Sequence, residues 1–149
     1  MTMNLYMQKL KSDFEKRLLD VDQNQSFVPI NKNIGVKVFF TAASRNAAKA
    51  RQRLAQKHGL APRVYDSFNT DVGGCNLYCY FTQMALIIPQ SEDKKYEVEV
   101  FYPGLFSLMK KLAKIGLSPR DHHLGNIGYL VLKGKPKLVW LDFDCCSMG

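Results

Sequence analysis

Residues 120–144 constrain the fold of this chain more than any other segment, because they predict two strands joined by a turn. Residues 127–132 and 138–141 are rich in β-branched, aromatic and other apolar side chains. The segment between them contains Gly134 and Pro136, which are typical turn residues. Strands joined in this way run antiparallel, so the residues before the first strand should lie beside those after the second.

Three side chains that carry oxygen lie at the two outer ends of this predicted hairpin. Asp121 and Asn126 precede the first strand and are five residues apart, and Asp142 follows the second strand. Carboxylate and amide oxygens, with waters and substrate phosphates completing the shell, are the ligands that Mg²⁺ prefers. The arrangement therefore predicts a site for a metal-bound nucleotide.

The same residues resemble two motifs of the protein-kinase-like superfamily, H-R-D-x-x-x-x-N and D-F-G. The first motif matches Arg120, Asp121 and Asn126, and the second matches residues 142–144, which read Asp-Phe-Asp. The sequence of residues 121–129 is more similar to that of small atypical members, such as sugar, lipopolysaccharide and antibiotic kinases, than to that of eukaryotic protein kinases. The resemblance implies that Asn126 and Asp142 hold Mg²⁺ and that Asp121 orients or deprotonates an acceptor hydroxyl. The implied cofactors are ATP and Mg²⁺.

The chain also supplies, in the expected order, the parts that precede these motifs in that superfamily. They are a strand, a helix, a long β-rich run and a second helix, predicted at residues 34–40, 41–58, 77–88 and 103–115. Lys37 lies in the apolar strand, and the resemblance implies that it contacts the phosphates of ATP. The alternative is a lysine that faces water on an edge strand. Residues 82–85 would be the hinge whose backbone meets the adenine.

Several residues depart from the pattern of the superfamily. The loop expected to cover the nucleotide, residues 22–27, contains no glycine, and the helix at 41–58 contains no acidic residue to pair with the lysine. Gln52 or Gln56 is a neutral substitute for that acid. Asp144 stands where the superfamily has glycine, either as a further metal ligand or as a residue that stiffens the turn.

The expected fold class is α+β, with a kinase-like N-lobe sheet and one helix followed by a truncated C-lobe of one helix and the catalytic hairpin. All 149 residues would form a single minimal domain, N-lobe-like over about residues 1–85 and C-lobe-like over about 86–149. The chain ends five residues after Asp144, so we expect neither an activation segment nor the helices that bind peptide substrates.

Missing helices should leave apolar surface exposed around Phe101, Leu105 and Trp140. A protein partner or a second copy of the chain would then cover this surface. A competing hypothesis for function follows, in which the chain is a catalytically degenerate binding module that grips or inhibits a partner. Lys37 and the three oxygen side chains favour catalysis. The lost glycines, the lost helix glutamate and the expected loss of the substrate-binding lobe favour the module.

The basic composition fits two interpretations, an anionic partner that the composition does not identify, or basic helical faces that are simply solvated. The chain has 21 basic and 13 acidic residues, a net charge of +8, with basic clusters at residues 49–63 and 110–120. Nucleotide, nucleic acid and anionic lipid all fit such a field, although no nucleic-acid-binding motif is present. Because the sequence has neither a membrane-spanning stretch nor a signal-peptide core, we expect a cytoplasmic protein.

Two alternative hypotheses for this segment are a metal site of histidines and cysteines and a resemblance to another metal-dependent family. His122 and His123, with Cys145 and Cys146, flank the same hairpin and offer four soft ligands, but reduced thiols are the expected state of these and the other cysteines. The triplet formed by residues 121–123 also resembles the name motif of the DHH phosphoesterases. That family needs further aspartate motifs at the ends of N-terminal strands, and the sequence has none.

Overall fold

A computed structural model describes residues 4–18, 26–87, 102–119, 127–143 and 146–148. Within these ranges the protein is an α+β protein with three helices. They are α1 (Leu5–Leu18), α2 (Ala42–Lys57) and α3 (Tyr102–Lys114). The strands in the same ranges are β1 (Phe27–Pro29), β2 (Ile34–Phe39), β3 (Val64–Val72), β4 (Cys75–Gln83), β5 (Leu86–Ile87), β6 (Leu117–Pro119), β7 (Ile127–Leu132), β8 (Lys135–Trp140) and β9 (Cys146–Met148).

The chain divides into two compact units. The first contains Met1–Lys49 and Arg63–Met84, and the second contains Ala50–Pro62 and Ala85–Gly149. Helix α2 therefore contributes residues to both units.

The first unit contains a four-stranded antiparallel sheet with the order β1-β2-β4-β3. Strand β4 lies between β2 and β3, although β3 precedes it in the sequence. Gly73 and Gly74 join β3 to β4 with φ angles of 60° and 82°, the pair of positive values that a type I′ hairpin turn requires.

Aromatic rings form much of the core on one face of this sheet. Phe14 of α1 meets Phe68 edge-on with 5.4 Å between ring centroids, and Phe68 stacks on Phe81 at 4.6 Å. Helix α1 begins at Asn4, whose side-chain oxygen accepts a hydrogen bond from the Met7 amide at 2.8 Å. The buried face of α1 thus packs on the sheet, and the cap fixes where the helix starts.

A smaller cluster lies on the other face of the sheet. Phe39 stacks on Tyr80 with 5.9 Å between ring centroids, and Ala48 of α2 belongs to the same buried cluster. The buried positions of α2 include Ala48, Gln52 and Ala55, which are three or four residues apart and therefore lie along one side of the helix.

The second unit contains a three-stranded antiparallel sheet, β5-β7-β8, and a pair of strands, β6 and β9. Helix α3, the last part of α2 and strands β6 to β8 enclose its core, whose buried members are Ala55, Leu60, Ala61, Leu105, Leu108, Leu112, Leu117, Ile127, Trp140 and Phe143. The sequence predicted an exposed apolar surface around Leu105 and Trp140, but both of these side chains are buried inside this unit, whereas Phe106, next to Leu105, is 58% exposed. Phe101, the third residue of that prediction, lies outside the described residues.

The predicted helices at 41–58 and 103–115 are confirmed to within one residue at each end. The predicted second strand of the hairpin began too late, because the turn comprises only Lys133 and Gly134, with φ angles of 51° and 76°. Pro136 is therefore a strand residue rather than a turn residue. A proline is tolerated there because β8 is at the edge of its sheet.

The predicted β-rich run at 77–88 begins earlier, at Cys75, and is interrupted after Gln83. Strand β3 was not predicted from the sequence, because polar residues such as Asp66 and Asn69 interrupt its apolar pattern. Across the described ranges, no helix combines the length and the apolar character needed to cross a bilayer.

Candidate functional site

Asp142 lies on a short segment, residues 141–143, that directly follows β8. Two side chains donate hydrogen bonds to consecutive main-chain carbonyls of this segment. The indole Nε1 of Trp140 donates to the carbonyl of Asp142, and Nη1 of Arg51 donates to the carbonyl of Phe143 at 3.1 Å. Two successive peptide groups are therefore held by side chains from β8 and α2.

Core packing also holds residues 141–143 in place. The side chain of Phe143 is fully buried, and Trp140 beside it in the core is 1% exposed. The Trp140 amide donates to the carbonyl of Leu60 at 2.8 Å, which ties the end of β8 to the loop after α2. Asp142 itself is half-buried. Its neighbours are anchored, so its carboxylate belongs to a segment with little freedom to move.

Arg51 is the main residue of this region that the sequence did not predict. Its guanidinium group belongs to a half-buried side chain, and no acceptor among the described residues lies within hydrogen-bonding distance of its buried Nε. Arg51 is four residues before the fully buried Ala55 and so lies near the inward face of α2, a position that only the structure shows. An arginine at that position is unusual unless it has a specific contact.

Lys37 lies on β2 in the first unit, opposite Phe27 of β1 and Tyr80 of β4. Strand β2 has a neighbour on each side, so the alternative of a lysine on an edge strand was wrong. Side chains alternate between faces along a strand, and Phe39 therefore shares a face with Lys37. The lysine is half-buried on the face of the sheet that carries the Phe39–Tyr80 stack.

Gly35 lies on that same face, two residues before Lys37. A Cβ atom at Gly35 would come 2.3 Å from Cζ of Phe27 and 3.0 Å from Sδ of Met84. Only glycine leaves room for the Phe27 ring to cross the strand at this point. The face next to Lys37 is therefore bordered by an aromatic ring and a thioether.

The backbone around the predicted hinge, residues 82–85, is partly engaged within the first unit. The Gln83 amide donates to the carbonyl of Arg63 at 2.9 Å, and the Met84 amide donates to the carbonyl of Asn33 at the same distance. The hydroxyl of Thr82 also donates to the Arg63 carbonyl, at 3.1 Å. The amides of residues 83 and 84 are thus already used, and a contact with adenine through either of them would first require those bonds to break.

Gln52, which the sequence suggested as a neutral partner for the lysine, is completely buried. Its Nε2 donates to the carbonyl of Pro62 at 3.0 Å, a contact inside the second unit. The side chain thereby satisfies a buried carbonyl in the loop that follows α2. Gln56, the other suggested substitute, is half-buried on the same helix.

The remaining predicted site residues, Asp121 and Asn126, lie outside the described residues, as do His122, His123 and Asp144. The structure therefore describes Lys37 in the first unit and Asp142 in the second. Among the side chains that it describes, no group of three from His, Cys, Asp and Glu gathers at metal-binding distance. The cluster of His122, His123, Cys145 and Cys146 is not covered by that observation.

Two of the four cysteines lie on β4 and both are free thiols. Cys75 is exposed at the start of the strand, whereas Cys79 is fully buried in the aromatic core. Burial raises the pKa of the Cys79 thiol from 9.0 to about 12, although the charges of Arg45 and Lys11 act in the opposite direction. Cys79 is thus an inert core residue, in contrast to Cys75.

An open groove of about 360 Å³ lies at the end of the β3–β4 hairpin, lined by Asn69, Thr70, Asp71, Asn76 and Tyr78. Nη1 of Arg45 donates to Oδ1 of Asn69 at 2.6 Å, and its guanidinium lies 5.7 Å from the centre of the Tyr78 ring. These contacts attach the start of α2 to the hairpin. Asn69 and Tyr78, two of the residues that line the groove, therefore already have contacts within the first unit.

Comparison of the sequence with models of known protein families gave no match, and comparison with curated proteins gave none. The class that the structure defines is an α+β protein with a four-stranded antiparallel sheet.

Proposed function

We propose that this protein is a kinase-like phosphotransferase that uses ATP and Mg²⁺. In this proposal Asn126 and Asp142 hold the metal ion, Lys37 contacts the phosphates, and Asp121 orients or deprotonates the acceptor hydroxyl. The acceptor itself is left open, because the proposal rests on residues that handle the nucleotide.

The observation that carries the proposal is the anchoring of Asp142. A carboxylate that binds a metal-bound phosphate must keep its direction while charge develops, so a site gains from a segment that is fixed before the ligand arrives. The hydrogen bonds from Trp140 and Arg51, together with the buried Phe143 ring, provide such a segment. Asp142 is also only partly buried, as a metal ligand open to substrate must be.

The position of Lys37 adds support from the first unit. Lys37 lies on an interior strand, half-buried on the face that carries the Phe39–Tyr80 stack, and a phosphate is an anion of the kind that stabilises a partly buried lysine. The order of elements also agrees with the proposal, because β2 is followed by helix α2, the β3–β4 hairpin, helix α3 and the β7–β8 hairpin.

The departures from the superfamily limit how the nucleotide can bind. Because the Gln83 and Met84 amides already donate within the protein, the adenine would depend on apolar contacts more than on hinge amides. Phe27 and Met84, which border Gly35 near Lys37, are apolar groups that could make such contacts, and they lie in the same unit as Lys37.

Thermal unfolding with ATP, with and without Mg²⁺, tests nucleotide binding. A ligand at 100 times its Kd stabilises the native state by about 2.7 kcal/mol, which raises Tm by about 5–10 °C for a chain of this size. The rise should require Mg²⁺ and should be lost in Lys37→Ala and in Asp142→Asn. Asp66→Asn, at an exposed position on β3, is the matched control and should keep the full rise.

A second measurement separates binding from catalysis. Asp121→Ala should keep the Mg²⁺-dependent rise in Tm but abolish ADP formation, measured by chromatography with sugar, nucleoside and protein acceptors. Absence of any rise at millimolar nucleotide would refute the proposal and would favour the degenerate binding module. Binding without ADP formation from any acceptor would favour a module that keeps its nucleotide.

A further inference from the structure

We propose that Arg51 is a positioning residue for Asp142, and that helix α2 acts on the metal-binding segment through this side chain. The inference rests on the proposed function of Asp142 and assigns a role to a residue outside the kinase-like motifs. In that superfamily the corresponding helix supplies an acid for the lysine. Helix α2 contains no acid and instead directs a cation to the main chain of residue 143.

The geometry restricts the backbone on both sides of Phe143, the residue that follows Asp142. The Trp140 indole fixes the carbonyl of Asp142, and Arg51 fixes the carbonyl of Phe143, which belongs to the next peptide group. With two consecutive peptide planes held, the backbone torsions of Phe143 are fixed as well. The charge-assisted bond from Arg51 is the stronger kind of hydrogen bond, so its loss should release the segment more than the loss of a neutral bond.

The unsatisfied donor on Arg51 indicates that stability alone does not explain the residue. Its Nε is buried with no acceptor among the described residues, and burial of such a donor opposes folding. A flexible apolar side chain at position 51 would fill similar space without that cost. Retaining a locally unfavourable group is expected where a site needs a fixed geometry more than added stability.

Arg53 provides a matched control on the same helix. It lies two residues after Arg51, in the same turn of α2, but its side chain is exposed. Arg51→Met and Arg53→Met remove the same charge from the same helix, so a difference between them reports on the contact with Phe143. Arg51→Lys keeps a cation that can donate one hydrogen bond, and it should restore part of the effect.

The first experiment measures Kd for ATP by calorimetry, with and without Mg²⁺, in the wild type and the three variants. Removing a hydrogen bond from a charged group should reduce the Mg²⁺-dependent gain in affinity by about tenfold in Arg51→Met. The metal-free affinity and Tm should match those of Arg53→Met, and Arg51→Lys should be intermediate. A full gain in Arg51→Met would overturn the proposal. So would a Tm lowered together with the metal-free affinity, which would mark Arg51 as merely structural.

The second experiment needs no nucleotide, so it separates failure of this inference from failure of the proposed function. Trp140 is the one tryptophan of the chain, and its indole donates to the segment that Arg51 holds. Its fluorescence in Arg51→Met should be quenched by acrylamide clearly more than in Arg53→Met, because the indole loses a fixed acceptor. Equal quenching in the two variants would overturn the proposal, even if the wild type binds Mg²⁺ and ATP. Greater quenching without any Mg²⁺-dependent binding would support Arg51 as the anchor of the segment and refute the proposed function.

Discussion

Replacement of Phe143 by alanine tests whether the core of the second unit holds the Asp142 segment in place. The ring is fully buried among side chains from α2, α3 and β6 to β8. Removing a buried aromatic ring loses its transfer free energy and leaves a cavity, which together cost about 3–5 kcal/mol. That loss corresponds to a fall in Tm of about 10 °C for a chain of this length.

The matched control is Leu112→Ala on α3. Leu112 is also fully buried in the same core, but it lies outside the segment that carries Asp142. The expected cost of about 2–5 kcal/mol overlaps that of Phe143→Ala, so the two variants have comparable losses of stability. They should differ in function, because only Phe143→Ala frees the backbone next to the metal-binding carboxylate.

The assay is urea unfolding followed by circular dichroism, with titration of Mg²⁺ and ATP under native conditions. Both variants should unfold at lower urea, whereas only Phe143→Ala should lose the Mg²⁺-dependent gain in ATP affinity. A cost below about 1 kcal/mol for Phe143→Ala, the level of an ordinary substitution, would refute the packing argument. Retention of the full Mg²⁺-dependent gain would refute the link between the core and the site.

Three further predictions concern other parts of the chain. Gly35→Ala should cost about 1–3 kcal/mol, because its Cβ would overlap the Phe27 ring, and Phe27→Ala should remove most of that cost in a double-mutant cycle measured by urea unfolding. Alkylation followed by peptide mass spectrometry should label Cys75 in the native protein but Cys79 only after unfolding. Because burial raises the pKa of the Cys79 thiol to about 12, the unfolded chain loses that proton first, and stability should fall as pH rises from 9 towards 12, with a smaller slope in Cys79→Ala. Gln52→Met should cost about 1–3 kcal/mol in urea unfolding, because it leaves a buried carbonyl without its donor.

Helices α2 and α3 could be predicted because their signals are local. Helix α2 has the helical spacing of small residues, begins after Thr41, whose hydroxyl accepts a hydrogen bond from the Ser44 amide, and ends at Gly59, with a φ of 71°. Gly73 and Gly74 likewise identify a hairpin turn without reference to the rest of the chain. Strand β3 was missed because its alternating polar residues give no continuous apolar run.

The candidate site was predictable only in part. The motif around Asp142 and the apolar strand around Lys37 were visible as residue patterns, and the structure then added that β2 is an interior strand. Burial of Leu105 and Trp140 could not be predicted from the resemblance to a superfamily whose C-lobe has more helices. In this protein α3, the last part of α2 and strands β6 to β8 bury both side chains without further helices.

The sequence by itself determined helices α2 and α3 to within one residue at each end, because helical periodicity and caps depend on residues a few positions apart. Only the tertiary structure decided that β4 lies between β2 and β3 and that Arg51 reaches Phe143, which is 92 residues away in the chain. Such contacts depend on which faces of the helices and strands pack together. They also depend on which buried donors and acceptors need a hydrogen-bonding partner. No periodicity along the chain encodes that choice, and so the residue proposed to fix the Asp142 segment became visible only in the folded protein.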